Sequence, residues 1–239
     1  MKEQLYTIPV NEAFDTDCEC PLCTMYQSLE TDTIEFTMGP SYMEDDVRME
    51  TNQIGFCNHH VKKLYDYQNR LGLALILQTH MDDVLKNVSH LCKENANSSG
   101  GLFRKKEVTS PLLTYIKNVQ SSCYMCNRIE RIFQRYIVTI FYLYKNEPSF
   151  REKMNQSKGF CINHYALLYE QAQLQLSGNL KETFLTSLNE LFLSNMKRVR
   201  EDLEWFTNKF DYRYQNEPWK NAKDALPRSI NKINGISEL

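Results

Sequence analysis

The sequence contains little glycine and proline, with 8 Gly and 7 Pro in 239 residues. These two residues dominate tight turns, so their scarcity argues against a β architecture built from many short strands. Leu, Glu, Lys and Gln are plentiful instead, and these residues favour helices. Because 42% of the residues are hydrophobic, the chain has enough apolar surface to fold around a core. The composition therefore predicts an all-α protein.

The sequence also lacks a long apolar segment. Its start, MKEQLYTIPVNEAFDTD, has no apolar stretch of the length that a secretory signal needs. No later window approaches the roughly 20 apolar residues of a membrane span. We therefore expect a cytoplasmic protein that does not associate with a membrane. In a reducing cytosol, its 8 cysteines are better explained by metal binding or thiol chemistry than by disulfides.

Several motifs that mark common enzymes are missing from the sequence. We find no phosphate-binding glycine loop, no nucleophile elbow and no His-Glu-x-x-His helix with an open metal position. No residue is therefore predicted to be catalytic, and the sequence favours a non-enzymatic protein.

The chain contains an internal duplication. A Cys-x-x-Cys pair and a later Gly-Phe-Cys-x-x-His segment occur twice, in the same order and at nearly equal intervals. The pairs are Cys20 with Cys23 and Cys123 with Cys126, and the later segments are 55–60 and 159–164. The duplication predicts four regions, which are a first helical repeat at 1–93, a linker at 94–111, a second helical repeat at 112–211 and a C-terminal tail at 212–239.

Apolar periodicity predicts the helices of each repeat. Ser-x-x-Glu sequences at Ser41 and Ser149 fit capping boxes at helix starts. Gly55 and Gly159 fit the left-handed position that commonly ends a helix. The tail shows little periodicity, and Trp219 is its one strong anchor candidate. The predicted helices are 21–37, 42–52 and 59–93 with a break near Gly72, and then 112–119, 123–145, 150–156, 162–177 and 180–209.

The duplicated motifs have the spacing of zinc ligands. Two residues three positions apart can direct both side chains at one ion, and tetrahedral sites are assembled from such pairs. Three thiolates and one imidazole close the coordination shell, which is typical of structural rather than catalytic zinc. We therefore predict two structural Zn²⁺ sites per chain, one in each repeat. The first repeat would use Cys20, Cys23, Cys57 and His60, and the second Cys123, Cys126, Cys161 and His164.

Two other interpretations of these motifs stay open. An iron-sulfur cluster with one histidine ligand would fit the same residues, and a redox-active thiol pair would explain Cys-x-x-Cys alone. In the first repeat, Cys18 and His59 are alternative ligands, and His59 also fits a supporting position beside the metal. Cys92 is predicted to be a buried helix residue.

The motifs lie within a longer pattern, whose segments are LYTIPVNEAF, CECPLC, GPSYMEDDVR, GFCNHH and NRLGLAL. This pattern resembles a bacterial family of unknown function. That family is found chiefly in Gram-positive anaerobes. The resemblance covers most of the chain and implies a cytoplasmic helical protein with two cysteine-histidine sites. It implies no catalytic activity.

Three functions follow from these features as hypotheses. The first is a zinc-stabilised helical protein that binds a protein partner, as an adaptor or regulatory scaffold. The second is a redox or metal-responsive switch that releases zinc when a thiolate is oxidised, with Cys18 as resolving thiol. The third is weak nucleic-acid binding by the C-terminal half, because 21 of the 28 Lys and Arg residues follow residue 100. Its aromatic residues Tyr136, Tyr142 and Tyr144 lie on an apolar helix and are expected to be core.

Overall fold

A computed structural model describes residues 6–97 and 110–236 of the chain. Over these residues the protein is α-helical, which confirms the predicted fold class. The α-helices, numbered in chain order, are α1 (Thr7–Asp15), α2 (Pro21–Met38), α3 (Asp45–Ile54), α4 (Asn58–Asp66), α5 (Arg70–Asn97), α6 (Pro111–Ser121), α7 (Tyr124–Asn146), α8 (Pro148–Gln156), α9 (Ile162–Gln175), α10 (Gly178–Asn208) and α11 (Ala225–Asn234).

Most predicted helices agree with the structure to within three residues. The predicted segment 59–93 is two helices, as expected, but the break lies at 67–69 rather than at Gly72. Gln68 takes the positive φ of 73° there, and Gly72 lies inside α5. The Asn69 side chain accepts from the Gly72 backbone N–H at 3.0 Å and so marks the start of the new helix. The middle of the predicted linker, 98–109, lies outside the described residues.

Gly55 is confirmed as a helix stop, whereas Gly159 lies two residues after Ser157, the C-cap of α8, and the capping boxes are wrong. Gly55 and Gly159 take φ values of 69° and 78°, which only glycine adopts without strain. Ser41 lies in a short 3-10 helix, Pro40–Met43, and α3 begins after Glu44. Ser149 lies inside α8, which starts at Pro148. Proline fits the first turn of a helix because that turn leaves its N–H groups unpaired.

Two helices were not predicted from the sequence. The first is α1, and the second is α11 in the C-terminal tail. The tail is therefore structured over its described part, and Trp219 packs as an anchor, with its ring 6.0 Å from that of Phe206.

The chain divides into two compact units. Unit 1 comprises Met1–Leu29 with Ile132–Leu239, and unit 2 comprises Glu30–Arg131. Both divisions fall inside helices, in α2 and in α7. The predicted repeat bounds describe a duplication of the sequence and stay a prediction.

Unit 1 has an aromatic core between α7, α8 and α10. Phe184 is fully buried, and its ring lies 5.2 Å from Phe141 and 4.8 Å from Tyr144. Phe14 of α1 packs edge-on against Phe150 at 5.1 Å. These contacts place α1 against α8 and leave the chain between α1 and α2, which carries Cys18 to Cys20, next to the core.

Unit 2 is built on α3, α4, α5 and α6, together with the C-terminal part of α2 and the N-terminal part of α7. Leu64, Leu73 and Ile76 are buried. Further along α5 the apolar side chains are less buried, and Met81 and Leu85 are each 62% exposed. Within the described ranges 6–97 and 110–236, no helix combines the length and apolar character needed to cross a bilayer.

Candidate metal centres

The eight predicted ligand residues form two clusters, but the clusters cross between the repeats. In each cluster the ligand atoms all lie within 4.8 Å of one another. The predicted pairing inside each repeat is therefore wrong, because each Cys-x-x-Cys meets the Cys-x-x-His of the other repeat. Unit 1 holds Cys20, Cys23, Cys161 and His164, and unit 2 holds Cys57, His60, Cys123 and Cys126.

Both Cys-x-x-His motifs are placed by a helix start. Cys57 is the N-cap of α4 with φ −74° and ψ 165°, and Cys161 is the N-cap of α9 with φ −71° and ψ 165°. Each histidine then lies in the first turn, three residues further on, and points back to its cysteine. The positive end of the helix dipole favours the thiolate over the thiol at this position.

In unit 1 the imidazole of His164 is surrounded by sulfur. Its Nδ1 lies 3.4 Å from Cys20 Sγ, 3.3 Å from Cys23 Sγ and 3.2 Å from Cys161 Sγ. The Cys23 and Cys161 sulfurs are 3.7 Å apart. All three thiols are buried, with relative exposures of 1%, 4% and 0%.

Unit 2 repeats this geometry. The Nδ1 of His60 lies 3.3 Å from Cys57 Sγ, 3.4 Å from Cys123 Sγ and 3.3 Å from Cys126 Sγ. The Cys57 and Cys126 sulfurs are 3.9 Å apart, and the Cys126 backbone N–H donates to Cys123 Sγ at 3.5 Å. Here Cys57 and Cys126 are only half-buried.

These distances fit a tetrahedral ion. Zinc bonds of about 2.3 Å to sulfur and 2.0 Å to nitrogen place sulfurs about 3.8 Å apart and sulfur about 3.5 Å from nitrogen. The measured sulfur separations of 3.7 and 3.9 Å match the first value, and they are far longer than a disulfide. All 8 cysteines are free thiols. Each cluster can therefore hold a metal ion.

The electrostatics of the clusters also favour a cation. In unit 2, burial and the neighbouring Cys123 raise the pKa of Cys126 to about 12. Burial raises the pKa of Cys123 as well, but hydrogen bonds from His60 and backbone N–H groups outweigh it and lower that pKa to about 6. In unit 1, the hydrogen bond to Cys161 raises the pKa of Cys23. The thiols therefore oppose one another's ionisation, and a divalent ion would stabilise all the thiolates together.

A carboxylate lies next to the unit 2 imidazole, at the ring nitrogen that does not face the sulfurs. Glu30 Oε1 lies 3.2 Å from Nε2 of His60 and 2.7 Å from Nε2 of His59, and its Oε2 accepts from Lys63 Nζ at 2.6 Å. Burial alone would raise the pKa of Glu30, but contacts with His60, Lys63 and His59 lower it to about 2. Glu30 is therefore a carboxylate facing the far side of the predicted ligand His60.

In unit 1 the C-terminal helix closes over the cluster. Lys232 of α11 is 1% exposed and donates to the backbone carbonyls of Glu19 and Lys158 at 2.6 and 2.5 Å. Its Nζ also lies 3.2 Å from the Glu19 carboxylate. Beyond the end of α11, Gly235 turns with φ 73°, and its carbonyl accepts from Cys23 Sγ at 3.5 Å. A Cβ on Gly235 would lie 3.4 Å from Cys161 Sγ, so the backbone lies directly against the sulfurs.

Replacing Lys232 should therefore loosen the unit 1 cluster. We expect Lys232→Met to lower the free energy of unfolding by about 3 kcal/mol, because it leaves buried acceptors unpaired and removes a cation from the buried Glu19. Urea denaturation of the metal-loaded chain measures this change. The exposed Lys223 on the preceding segment gives the matched control, and Lys223→Met should change stability by less than about 0.5 kcal/mol. Equal stability of the two variants would contradict the assigned role.

The remaining sulfur and histidine predictions have mixed outcomes. Cys18 lies outside both clusters, and burial raises its pKa. Cys92 is exposed, so the prediction that it is buried is wrong. His59 joins Glu30 and His60 rather than the thiols, which agrees with a supporting position.

Glu30 and Lys232 were not predicted from the sequence. The only signal for Glu30 was its position seven residues after Cys23, two turns along the same face of α2.

Comparison with known proteins gives one match. The model of a family of unknown function, DUF6062, matches residues 1–239. The chain belongs to the DUF6062 family. Membership confirms the resemblance to a family of unknown function, whereas its bacterial origin stays a prediction. No curated protein and no solved structure matches this DUF6062 chain.

Proposed function

We propose that the protein binds two structural zinc ions, one in each compact unit, and that the ions hold its helices together. The observation that carries the proposal is the approach of three sulfurs to within 3.2–3.4 Å of one imidazole nitrogen, twice in the same chain. Each shell is complete, with no ligand position left for water or substrate, and this favours a structural over a catalytic ion. Each ion would join residues far apart in the sequence, such as Cys23 and Cys161.

Zinc is favoured over an iron-sulfur cluster by the spacing of the donors. A cluster with several iron atoms holds the ligands of different irons farther apart than one ion does, whereas here all four ligand atoms lie within 4.8 Å of one another. Neutral imidazole is a suitable ligand for zinc, and His60 and His164 each present Nδ1 to the sulfurs. Reduced thiols at all 8 cysteines fit the cytoplasmic location that we also propose.

Elemental analysis of natively purified protein, together with its absorption spectrum, tests the metal. We expect two equivalents of zinc per chain and no visible absorption. Brown protein with iron and sulfide would identify a cluster instead. Protein without metal that still has its native helicity and eight freely reactive thiols would refute the proposal.

For the biological role we propose interaction with a protein partner, as an adaptor or regulatory scaffold. The closed metal shells and the many helices supply a rigid framework rather than a reaction site. Nucleic-acid binding has less support, since Tyr136 and Tyr144 are 8% and 2% exposed and so offer no stacking surface. Pull-down of protein partners, compared with a gel-shift series across salt concentration, separates the two roles.

A further inference from the structure

The two clusters differ in the side chain that lies next to the ligand histidine. A ligand histidine commonly directs its second ring nitrogen at a carboxylate, which fixes the ring and strengthens the metal bond. In unit 2, Glu30 is placed for this, with its side chain 9% exposed and its Oε1 3.2 Å from His60 Nε2. Lys63, at 2.6 Å from Oε2, and His59 hold the carboxylate in place.

Unit 1 has an aromatic ring at the equivalent sequence position. Phe133 follows Cys126 by the same seven residues that separate Glu30 from Cys23. Its ring centroid lies 5.6 Å from that of His164, at an angle of 51°. Among the described residues, no acidic side chain belongs to a potential metal-binding group with His164, whereas Glu30 belongs to one with His60. Of the two equivalent sequence positions, one therefore holds a charged side chain, Glu30, and the other an apolar side chain, Phe133.

The thiols differ in their exposure as well. In unit 1 the three sulfurs are buried and the segment around Gly235 covers them. In unit 2, Cys57 and Cys126 are half-buried, so a chelator or an electrophile approaches these two residues more readily than the buried cysteines of unit 1. Exposure speeds attack on a metal thiolate, while a carboxylate behind the imidazole slows loss of the ion.

We propose that the two metal sites are unequal, that the ion of unit 2 is the exchangeable one, and that Glu30 is the positioning residue that retains it. This inference rests on the proposed function, because it assumes an ion in each cluster. The unit 1 ion is then lost slowly, and the unit 2 ion is the first to leave in the presence of chelators or thiol reagents.

Zinc release from the full-length chain to an excess of a chromogenic chelator tests the inference. In the wild type we expect two phases of one equivalent each. Glu30→Gln keeps the size of the side chain and removes its charge, and it should speed the faster phase by about 10- to 100-fold and leave the slower phase unchanged. Asp32→Asn is the matched control, since Asp32 is exposed on the same helix and loses the same charge.

Alkylation with iodoacetamide during the first phase, followed by peptide mass spectrometry, identifies the ion that leaves. We expect label at Cys57, Cys123 and Cys126 before any at Cys20, Cys23 and Cys161. If Glu30→Gln does not fold, Glu30→Asp should give a smaller acceleration of the same phase.

Several outcomes would overturn the inference. These are equal labelling of the two clusters, first release from unit 1, or Glu30→Gln and Asp32→Asn releasing zinc alike. In each of these cases two bound equivalents in the wild type would leave the proposed function standing. A wild type that binds no zinc would instead remove the proposed function, and this inference with it.

Discussion

A Cys20→Ser, Cys161→Ser double variant is expected to lose one metal ion per chain and to keep the other. Both residues belong to the unit 1 cluster, so the second substitution removes a ligand from a site that the first has already damaged. A Cys20→Ser, Cys57→Ser variant should lose both ions, because its substitutions fall in different clusters. Ligand pairing within each repeat predicts the reverse result for these two variants.

Metal analysis after gel filtration, with native mass spectrometry, measures the number of ions that each variant retains. The four single variants at Cys20, Cys57, Cys123 and Cys161 should each lose one. A Cys18→Ser, Cys92→Ser variant is the control and should keep two, since neither cysteine lies in a cluster. If Cys20→Ser, Cys161→Ser lost both ions while Cys20→Ser, Cys57→Ser lost one, the crossed arrangement would be wrong.

The sequence predicted the ligand residue types and most helices, because both depend on local spacing. The Cys-x-x-Cys and Cys-x-x-His pairs relate residues three positions apart, and the apolar period relates residues within one helix. Which pair meets which is a question of topology. Cys23 is 34 residues from Cys57 but 138 from Cys161, and only the fold places Cys161 beside it. The shorter interval favoured the wrong partner.

The supporting residues were hidden for a similar reason. Glu30 is one of 30 acidic residues, and nothing in the sequence shows that α2 carries it to His60. Lys232 lies in a tail with little apolar period, and α11 makes buried ion pairs of Lys232 with Glu19 and of Arg228 with Asp202. Patterns of apolar residues do not reveal such pairs.

The capping boxes failed because sequence signals compete at a helix start. Ser41 follows Pro40 and Ser149 follows Pro148, and proline at the first helical position sets the start at or before the serine. The serine then lies inside the helix, where its hydroxyl cannot cap. The prediction for Gly55 succeeded because a positive φ is a requirement that few other residues meet.

Removing the metal should unfold the protein. A structural zinc site of this type contributes about 10 kcal/mol of apparent folding free energy, and whole domains are stable by only about 5–15 kcal/mol. Without the ion, burial and the neighbouring Cys123 raise the pKa of Cys126 to about 12, so the thiols of the unit 2 cluster oppose one another's ionisation. We therefore expect excess chelator at neutral pH to abolish most of the far-ultraviolet helical signal.

The loss should be reversible and specific for the metal. Zinc returned under reducing conditions should restore the helical signal, and magnesium should not, because thiolates and imidazole are poor ligands for a hard cation. Circular dichroism and thiol titration on the same samples measure folding and ligand release together. If the metal-free protein kept its full helical signal while all six ligand thiols reacted freely, the helices would not need the ions. The metal would then have a role other than folding.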